Sequence, residues 1–192
     1  MKIFLILFVL FFSSTLVADG ISDFQIEGIS IGDSLLEHMS ENEIKKEIEA
    51  NKYVYSHLSE KFGEVYLFKD FKKYDVLSFF VKPNDKNYKI YSIRGIVEII
   101  ENEKKCSKKQ NDLKNEFILM FPNAELLEGT TNVRSDSSGK SILNEIRFRF
   151  NTGDFISINC INLDENYRKK NNMSEGFNIA IRTLEVFKWF RP

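Results

Sequence analysis

The residues best suited to redox, metal or acid–base chemistry are few: two cysteines, Cys106 and Cys160, and two histidines, His38 and His57. Neither histidine lies in a His-Glu-x-x-His pattern, and these four side chains supply a tetrahedral zinc site poorly. His57 is a candidate general base, although a single histidine beside apolar residues is more often structural. No serine lies in a Gly-x-Ser-x-Gly turn. The sequence therefore predicts no metal and no recognisable catalytic residue.

Two glycine-containing stretches are candidates for nucleotide binding. "FQIEGISIGDSLLEH" carries Gly28 and Gly32 without the third glycine of a dinucleotide fingerprint or the Lys-Ser/Thr pair of a P-loop. "SSGKS" ends like a P-loop at Ser141, but Arg134 stands where the leading glycine is required, and a strand is predicted to follow. The sequence therefore predicts no nucleotide cofactor. The two glycines are expected to allow a bend and a strand-to-helix turn.

Both cysteines are predicted to point into an apolar layer. In a helix expected over 102–121, Cys106 shares one stripe with four apolar residues, which are Leu113, Phe117, Met120 and Phe121. In a strand expected over 154–163, Cys160 alternates in phase with Ile156 and Ile158. A Cys106–Cys160 disulfide between helix and sheet is therefore predicted. The lysines around Cys106 would favour a thiolate, but a reactive thiol has to be accessible, so we interpret them as a solvated helix face.

The start of the chain resembles an export signal in its pattern. Lys2 precedes an apolar run over 3–12, and small residues follow before Ala18. This order predicts a signal peptide over residues 1–18, with cleavage after Ala18 or, alternatively, after Gly20. An uncleaved anchor is disfavoured because a membrane span needs about 20 apolar residues. The product is predicted to be periplasmic or secreted, with no membrane attachment after cleavage.

Composition limits the remaining possibilities. The full sequence has 43% apolar and 29% charged residues, which is typical of a globular rather than a disordered protein. Residues 19–192 are therefore expected to form a single globular domain. The formal net charge of −1 offers no positive field for phosphates, so nucleic acid is not an expected partner.

The pattern of apolar residues predicts an α+β fold. Strands are expected over 24–31, 64–69, 75–82, 88–100, 143–150, 154–163 and 177–182. Asp33 is expected to cap a short helix, Ser40 and Glu43 to form a capping box for the next one, and Thr183 to cap a short helix after the last strand. The sequence predicts a mostly antiparallel sheet covered on one face by helices, with one disulfide.

The pairing of two neighbouring strands can also be predicted. A three-residue loop over 151–153 pairs Phe148 with Ile156 and keeps the apolar residues of both strands on one face. A two-residue turn over 152–153 would instead pair Phe150 with Phe155 and set inward residues against outward ones. The first register is therefore predicted, with Gly153 in the left-handed conformation.

Two segments carry a resemblance to a known group. "FQIEGISIGDSLLEH" and "IAIRTLEVFKWF" resemble small exported proteins of AT-rich marine alphaproteobacteria, whose genomes would fit the preference for Lys, Ile and Asn. The glycine followed by a short helix is also similar to small periplasmic modules of the outer-membrane assembly lipoprotein type. Those modules carry a lipid-bearing cysteine that this sequence does not have near its predicted cleavage site. The resemblance implies no activity, catalytic residue or ligand.

Two classes of function stay open. One is a soluble periplasmic interaction or binding module without chemistry, whose partner is a protein or a small polar ligand. The other is a small periplasmic hydrolase using His57 or scattered carboxylates such as Asp70 with Asp75. The lack of any recognisable catalytic motif favours the first.

A candidate partner surface comes from two polar stretches, 129–141 and 164–176, which are expected to be long loops that emerge at the same end of the sheet. Solvated connections without a function are the alternative. The proposed donors to an acidic partner or ligand are Arg134, Lys140, Arg168, Lys169 and Lys170.

The disulfide is directly testable. Mass spectrometry of the exported protein under non-reducing conditions should find no free thiol and one peptide pair containing Cys106 and Cys160. Closure of this loop is expected to stabilise the fold by roughly 4 kcal/mol in the chain-entropy model. Two free thiols would show that the prediction is wrong.

Overall fold

The computed structural model describes residues 20–171 and 173–191. The predicted signal peptide, residues 1–18, lies outside the described residues. The described helices are α1 (Glu41–Asn51), α2 (Glu103–Met120), α3 (Glu165–Asn171) and α4 (Leu184–Trp189). Short 3-10 turns occur at Ile21–Asp23, Leu35–Glu37 and Lys52–Tyr55.

The strands form one large sheet and one small ribbon. They are β1 (Gln25–Ile26), β2 (Ile29–Ser30), β3 (Gly63–Leu67), β4 (Val76–Val81), β5 (Ile90–Glu98), β6 (Glu125–Asn132), β7 (Ile142–Arg149), β8 (Phe155–Asn162) and β9 (Gly176–Arg182). Strands β1 and β2 pair with each other, and the other seven form an antiparallel sheet in the order β3-β4-β5-β9-β8-β7-β6. The predicted α+β fold, an antiparallel sheet with helices packed on it, is confirmed.

The predicted disulfide and hairpin register are also confirmed. Cys106 of α2 and Cys160 of β8 are bonded, with their Cα atoms 5.8 Å apart. Phe148 pairs with Ile156 across β7 and β8. Gly153 has a φ of 84°, which is the left-handed conformation that the three-residue loop requires.

The segment predicted as one strand over 24–31 instead folds back on itself as β1 and β2. The turn between them is formed by Glu27 and Gly28, with φ angles of 52° and 80°. Gly28 therefore allows a hairpin turn rather than a bend within a strand. Ser34, not Asp33, caps the short helix that follows, because the Asp33 carboxylate accepts a hydrogen bond from the Ser30 backbone N–H at 2.8 Å.

The predictions of helix caps for α1 and α4 were more accurate than the prediction of the strand over 24–31. The capping box of Ser40 and Glu43 is present at the start of α1, and Thr183 caps α4. The buried stripe of α2 contains Cys106 and Phe117 as predicted, but Met120 is exposed. Gln110 is buried in the same stripe instead, and its amide donates to two backbone carbonyl oxygens at 2.9 and 2.8 Å. These hydrogen bonds allow a polar side chain in the core.

The two polar stretches predicted as long loops contain regular structure. Residues 129–132 belong to β6, and most of 164–171 is α3. Strand β6 has little strand propensity of its own, but each of its residues pairs with β7. Helix α3 begins where the Asp164 carboxylate accepts from the backbone N–H groups of Asn166 and Tyr167, both at 3.1 Å.

The two longest helices pack on one face of the sheet. Helix α1 contacts β3 and buries Ile44, and α2 contacts β8 and β9 and buries Phe117. The opposite face carries shorter elements at its margin. There, α4 packs Trp189 against Phe80 of β4 and Phe187 against Phe155 of β8, with ring centroids 5.6 and 5.1 Å apart.

Gly176 at the start of β9 tests how tightly the sheet is built. Its φ is +123°, and an added Cβ would lie 2.4 Å from the Ile99 backbone nitrogen and 2.7 Å from the Val97 carbonyl oxygen. Gly176→Ala should therefore lower the free energy of unfolding by roughly 2–4 kcal/mol. Urea unfolding followed by the fluorescence of Trp189 measures this change. Gly129→Ala is the control, because its Cβ meets open space, and its effect should stay within about 0.5 kcal/mol.

Candidate functional site

The sheet face opposite α1 and α2, here called the polar face, carries hydrophilic side chains on six adjacent strands. The register places two neighbouring rows across it. One row is Tyr66, Ser78, Arg94, Ala180, Ser157 and Arg147, and the next is Glu64, Phe80, Ser92, Arg182, Phe155 and Arg149. Alternation along each strand puts the core residues on the other face, so the polar face collects four arginines, of which Arg94, Arg147 and Arg182 are partly buried.

The first arginine belongs to a closed hydrogen-bond network. Arg94 donates to Glu64 at 2.7 Å, to the Ser78 hydroxyl at 3.1 Å and to the Tyr66 hydroxyl at 3.1 Å. The other oxygen of Glu64 accepts from the Tyr55 hydroxyl at 2.7 Å. Burial and then the Glu64 carboxylate raise the pKa of Tyr55, so Tyr55 stays a donor. Burial is the largest single influence on Arg94 and opposes its charge, but Glu64 together with Tyr66 and Tyr55 outweighs burial, so the pKa of Arg94 is raised. This network stabilises the fold.

The second arginine is only partly satisfied. Arg147 donates to Glu145 at 2.6 Å, and both side chains are half-buried. Its guanidinium carbon lies 5.0 Å from the centre of the Phe155 ring and 5.6 Å from that of Phe187. Its Nε is buried and has no hydrogen-bond partner among the described residues. One edge of this guanidinium therefore has no acceptor among the described residues.

The third arginine, Arg182 of β9, differs from both. Its Nε is buried without a partner, and no ion pair joins Arg182 to any carboxylate in the part of the chain that the structure describes. Aromatic rings flank it: the centres of Phe155 and Phe190 lie 5.9 and 5.7 Å from its guanidinium carbon. Burial, and then the nearby positive charge of Arg94, lower the pKa of Arg182 to about 10. It therefore stays charged at neutral pH and has capacity to bind an anion.

An amide cluster lies in the adjoining row. Asn159 is 7% exposed, and its amide nitrogen donates to Asn178 at 2.8 Å and to Ser157 at 3.2 Å. Its amide oxygen has no partner in residues 20–171 and 173–191. A buried acceptor without a donor costs free energy, which a ligand N–H or a water can recover.

The predicted partner surface lies elsewhere, at the end of the sheet where β6 and β8 finish. We call it the basic corner: Arg134, Lys140, Arg168, Lys169 and Lys170. The two polar stretches do meet there, because the Tyr167 hydroxyl donates to the Ser135 hydroxyl at 2.6 Å and the Asp164 N–H donates to the Ser141 hydroxyl at 2.9 Å.

Much of the charge of the basic corner is neutralised within the chain. Lys140 lies 3.8 Å from Asp164, Arg168 lies 3.5 Å from Glu175, and Lys169 pairs with Glu165 one turn away along α3. Arg134 and Lys170 are exposed, and no ion pair joins either to a described carboxylate. The corner therefore offers less free positive charge than its five cations suggest.

The residues considered for hydrolysis do not form a cluster. His57 is exposed and does not line the cavity of about 590 Å³ beneath the neighbouring 3-10 turn. Tyr55 and Glu64 are among the residues that line this cavity, and a hydrogen bond already joins their side chains. Asp75 accepts from the backbone N–H of Glu98 at 2.8 Å and so fixes a strand end, whereas Asp70 is exposed.

Sequence reasoning did not identify Arg94, Arg147 and Arg182 as a group. The alternation of apolar and polar residues along a strand could have indicated part of this group. Arg147 and Ser157 are out of phase with the apolar residues of their strands, so both are predicted to lie on the face away from the core. Alternation within a strand does not say which strands are neighbours. The insertion of β9 between β5 and β8 brings Arg182 between the other two arginines.

No protein-family model, curated protein or solved structure matches this chain. Within the described residues, no helix has the length and apolar character needed to cross a membrane. The same residues contain no group of three or more His, Cys, Asp or Glu side chains suited to a metal ion.

Glu64 provides a test of the closed network. Glu64→Gln removes the charge that balances Arg94, so the free energy of unfolding should fall by roughly 2–4 kcal/mol. Glu125→Gln is the matched control, because Glu125 forms an exposed pair with Arg149 and its loss should cost less than about 1 kcal/mol. Urea unfolding compares the two, and equal losses would contradict the assignment of Glu64 as a stabilising centre.

Proposed function

We propose that this chain is an exported, non-catalytic binding module that holds an acidic group of its partner on the polar face. The observation that carries the proposal is the guanidinium of Arg182, which is part-buried in the centre of the face and has no carboxylate partner among the described residues. The other partly buried arginines of the face, Arg94 and Arg147, are each paired with a glutamate. Arg182 therefore represents one positive charge in excess.

The chemistry of the face favours a carboxylate. A guanidinium binds a carboxylate through two parallel hydrogen bonds, and a single excess charge matches a single negative charge. Arg147 faces the same Phe155 ring as Arg182, and its buried Nε has no acceptor among the described residues. The unpartnered oxygen of Asn159 suits a donor such as a peptide N–H. An acidic peptide segment or a small polar acid has both kinds of group.

Two features support export and binding over hydrolysis. The Cys106–Cys160 disulfide is typical of proteins in oxidising compartments such as the periplasm. Glu64, the most buried carboxylate of the polar face, has both oxygens engaged by Arg94 and Tyr55. It therefore has no free oxygen with which to move a proton to or from a ligand.

The basic corner is a second candidate for the same partner. Its specific support is the exposure of Arg134 and Lys170, which lie on two elements that hydrogen bonds hold together. Exposed lysines and arginines without buried partners give weak, strongly salt-dependent contacts. The polar face is favoured over it because Arg182 is partly desolvated.

The test is to compare the proteins and acids recovered with the exported chain after periplasmic crosslinking. Arg182→Ala should reduce the recovered partner about tenfold or more, because truncating one member of a desolvated charge pair weakens binding by at least that factor. Replacing Arg168, Lys169 and Lys170 by alanine should leave recovery within about twofold.

Arg149→Ala serves as the control, since Arg149 lies in the same row as Arg182 but is exposed and paired with Glu125. Its recovered set should match that of the unmodified protein. An unchanged set with Arg182→Ala would refute the polar face. If only the triple alanine variant loses the recovered partner, the partner binds at the basic corner instead.

A further inference from the structure

The two edges of the large sheet differ in their protection. Strand β3 has 5 residues, is mostly buried and packs against α1. Strand β6 has 8 residues, all of them exposed, and no described strand pairs with its outer side. An open edge of this length presents a row of unpaired N–H and C=O groups to another strand.

The usual features that prevent edge pairing are missing from β6. Its sequence, ELLEGTTN, contains no proline and no lysine, and its register with β7 runs without a bulge. Leu126 and Leu127 point to opposite faces and are 36% and 38% exposed. The strand is therefore free of bulges, accessible and partly apolar.

The two carboxylates of β6 do not prevent pairing either. Glu125 forms an ion pair with Arg149 of β7, and Glu128 forms one with Lys114 of α2. Both partners belong to the same chain. Strand β6 therefore meets a second strand with its negative charges already balanced.

We propose that β6 pairs with β6 of a second copy of this chain. Residues opposite each other in an antiparallel pair point to the same face of the sheet. The twofold axis therefore has to lie midway between the two copies of one residue. An axis at Glu128 would oppose two carboxylates. An axis at Gly129 sets Glu128 opposite Thr130 and Leu127 opposite Thr131, with no like charges opposed. This self-complementarity favours a second copy over an unrelated strand.

The same axis determines how the two copies are arranged. It runs perpendicular to the sheet, because only that direction relates antiparallel strands within one sheet. Both polar faces then lie on the same side of a continuous sheet. The pairing uses only β6 and does not involve Arg182, so it is independent of the proposed function.

Sedimentation of the protein purified after export to a bacterial periplasm tests the proposal. The unmodified protein should have twice the mass of one chain, and Leu127→Lys should have the mass of one chain, because lysine on an edge opposes pairing. Phe68→Lys is the control, since Phe68 is 72% exposed at the opposite edge and its variant should keep the doubled mass. An unmodified protein of single-chain mass, or equal masses for the two variants, would overturn the proposal.

A cysteine at the axis tests the register itself. Gly129→Cys places two thiols opposite each other across the twofold axis, so oxygen with a copper–phenanthroline catalyst should oxidise them to a disulfide and give a covalent dimer. Thr152→Cys, exposed in the β7–β8 turn, should give no such dimer. Equal crosslinking of the two variants, or none with Gly129→Cys, would rule out pairing centred on Gly129.

Discussion

The continuity of the polar face depends on the two hydrogen-bonded ladders of β9. One ladder joins β9 to β5 and the other joins it to β8. Without them, β3-β4-β5 and β6-β7-β8 would be two separate three-stranded sheets, each with an open edge where β9 now lies. The ladders create one sheet, one continuous core beneath it and one polar surface above it.

The strict alternation of side chains places apolar residues on one face of the sheet and charged residues on the other, so different interactions stabilise the two faces. On the side of α1 and α2, burial of apolar area drives folding, and the disulfide fixes α2 to β8 at Cys106 and Cys160. On the opposite side, the fold tolerates charge because Arg94 and Glu64 satisfy each other. Arg182 combines properties of both faces: it is partly desolvated like a core residue, but it is charged like a surface residue. Such local inconsistency is typical of a residue kept for function.

Local patterns allowed a good part of the fold to be predicted. The disulfide and the register of β7 with β8 followed from period-2 and helical spacing, because one buried face determines the phase of each element. Strand β6 was missed because "EGTTN" has no strand pattern of its own and forms a strand only through pairing with β7. The polar face was missed for a related reason: nothing around Arg182 in "IAIRT" indicates which strands flank it. The meeting of the two polar stretches at one end of the sheet was predicted from the sequence, but the ion pairs within the basic corner were not.

The position of β9 in the chain also affects how the protein folds. β9 is the last strand described, yet it occupies the centre of the sheet. The Ser92 hydroxyl donates to the Ile181 carbonyl across 89 positions, and Trp189 donates to the Ser59 carbonyl across 130. Contacts this distant in sequence slow folding to roughly milliseconds or longer. A chain synthesised from its N-terminus therefore cannot complete the large sheet until its last described strand has left the ribosome.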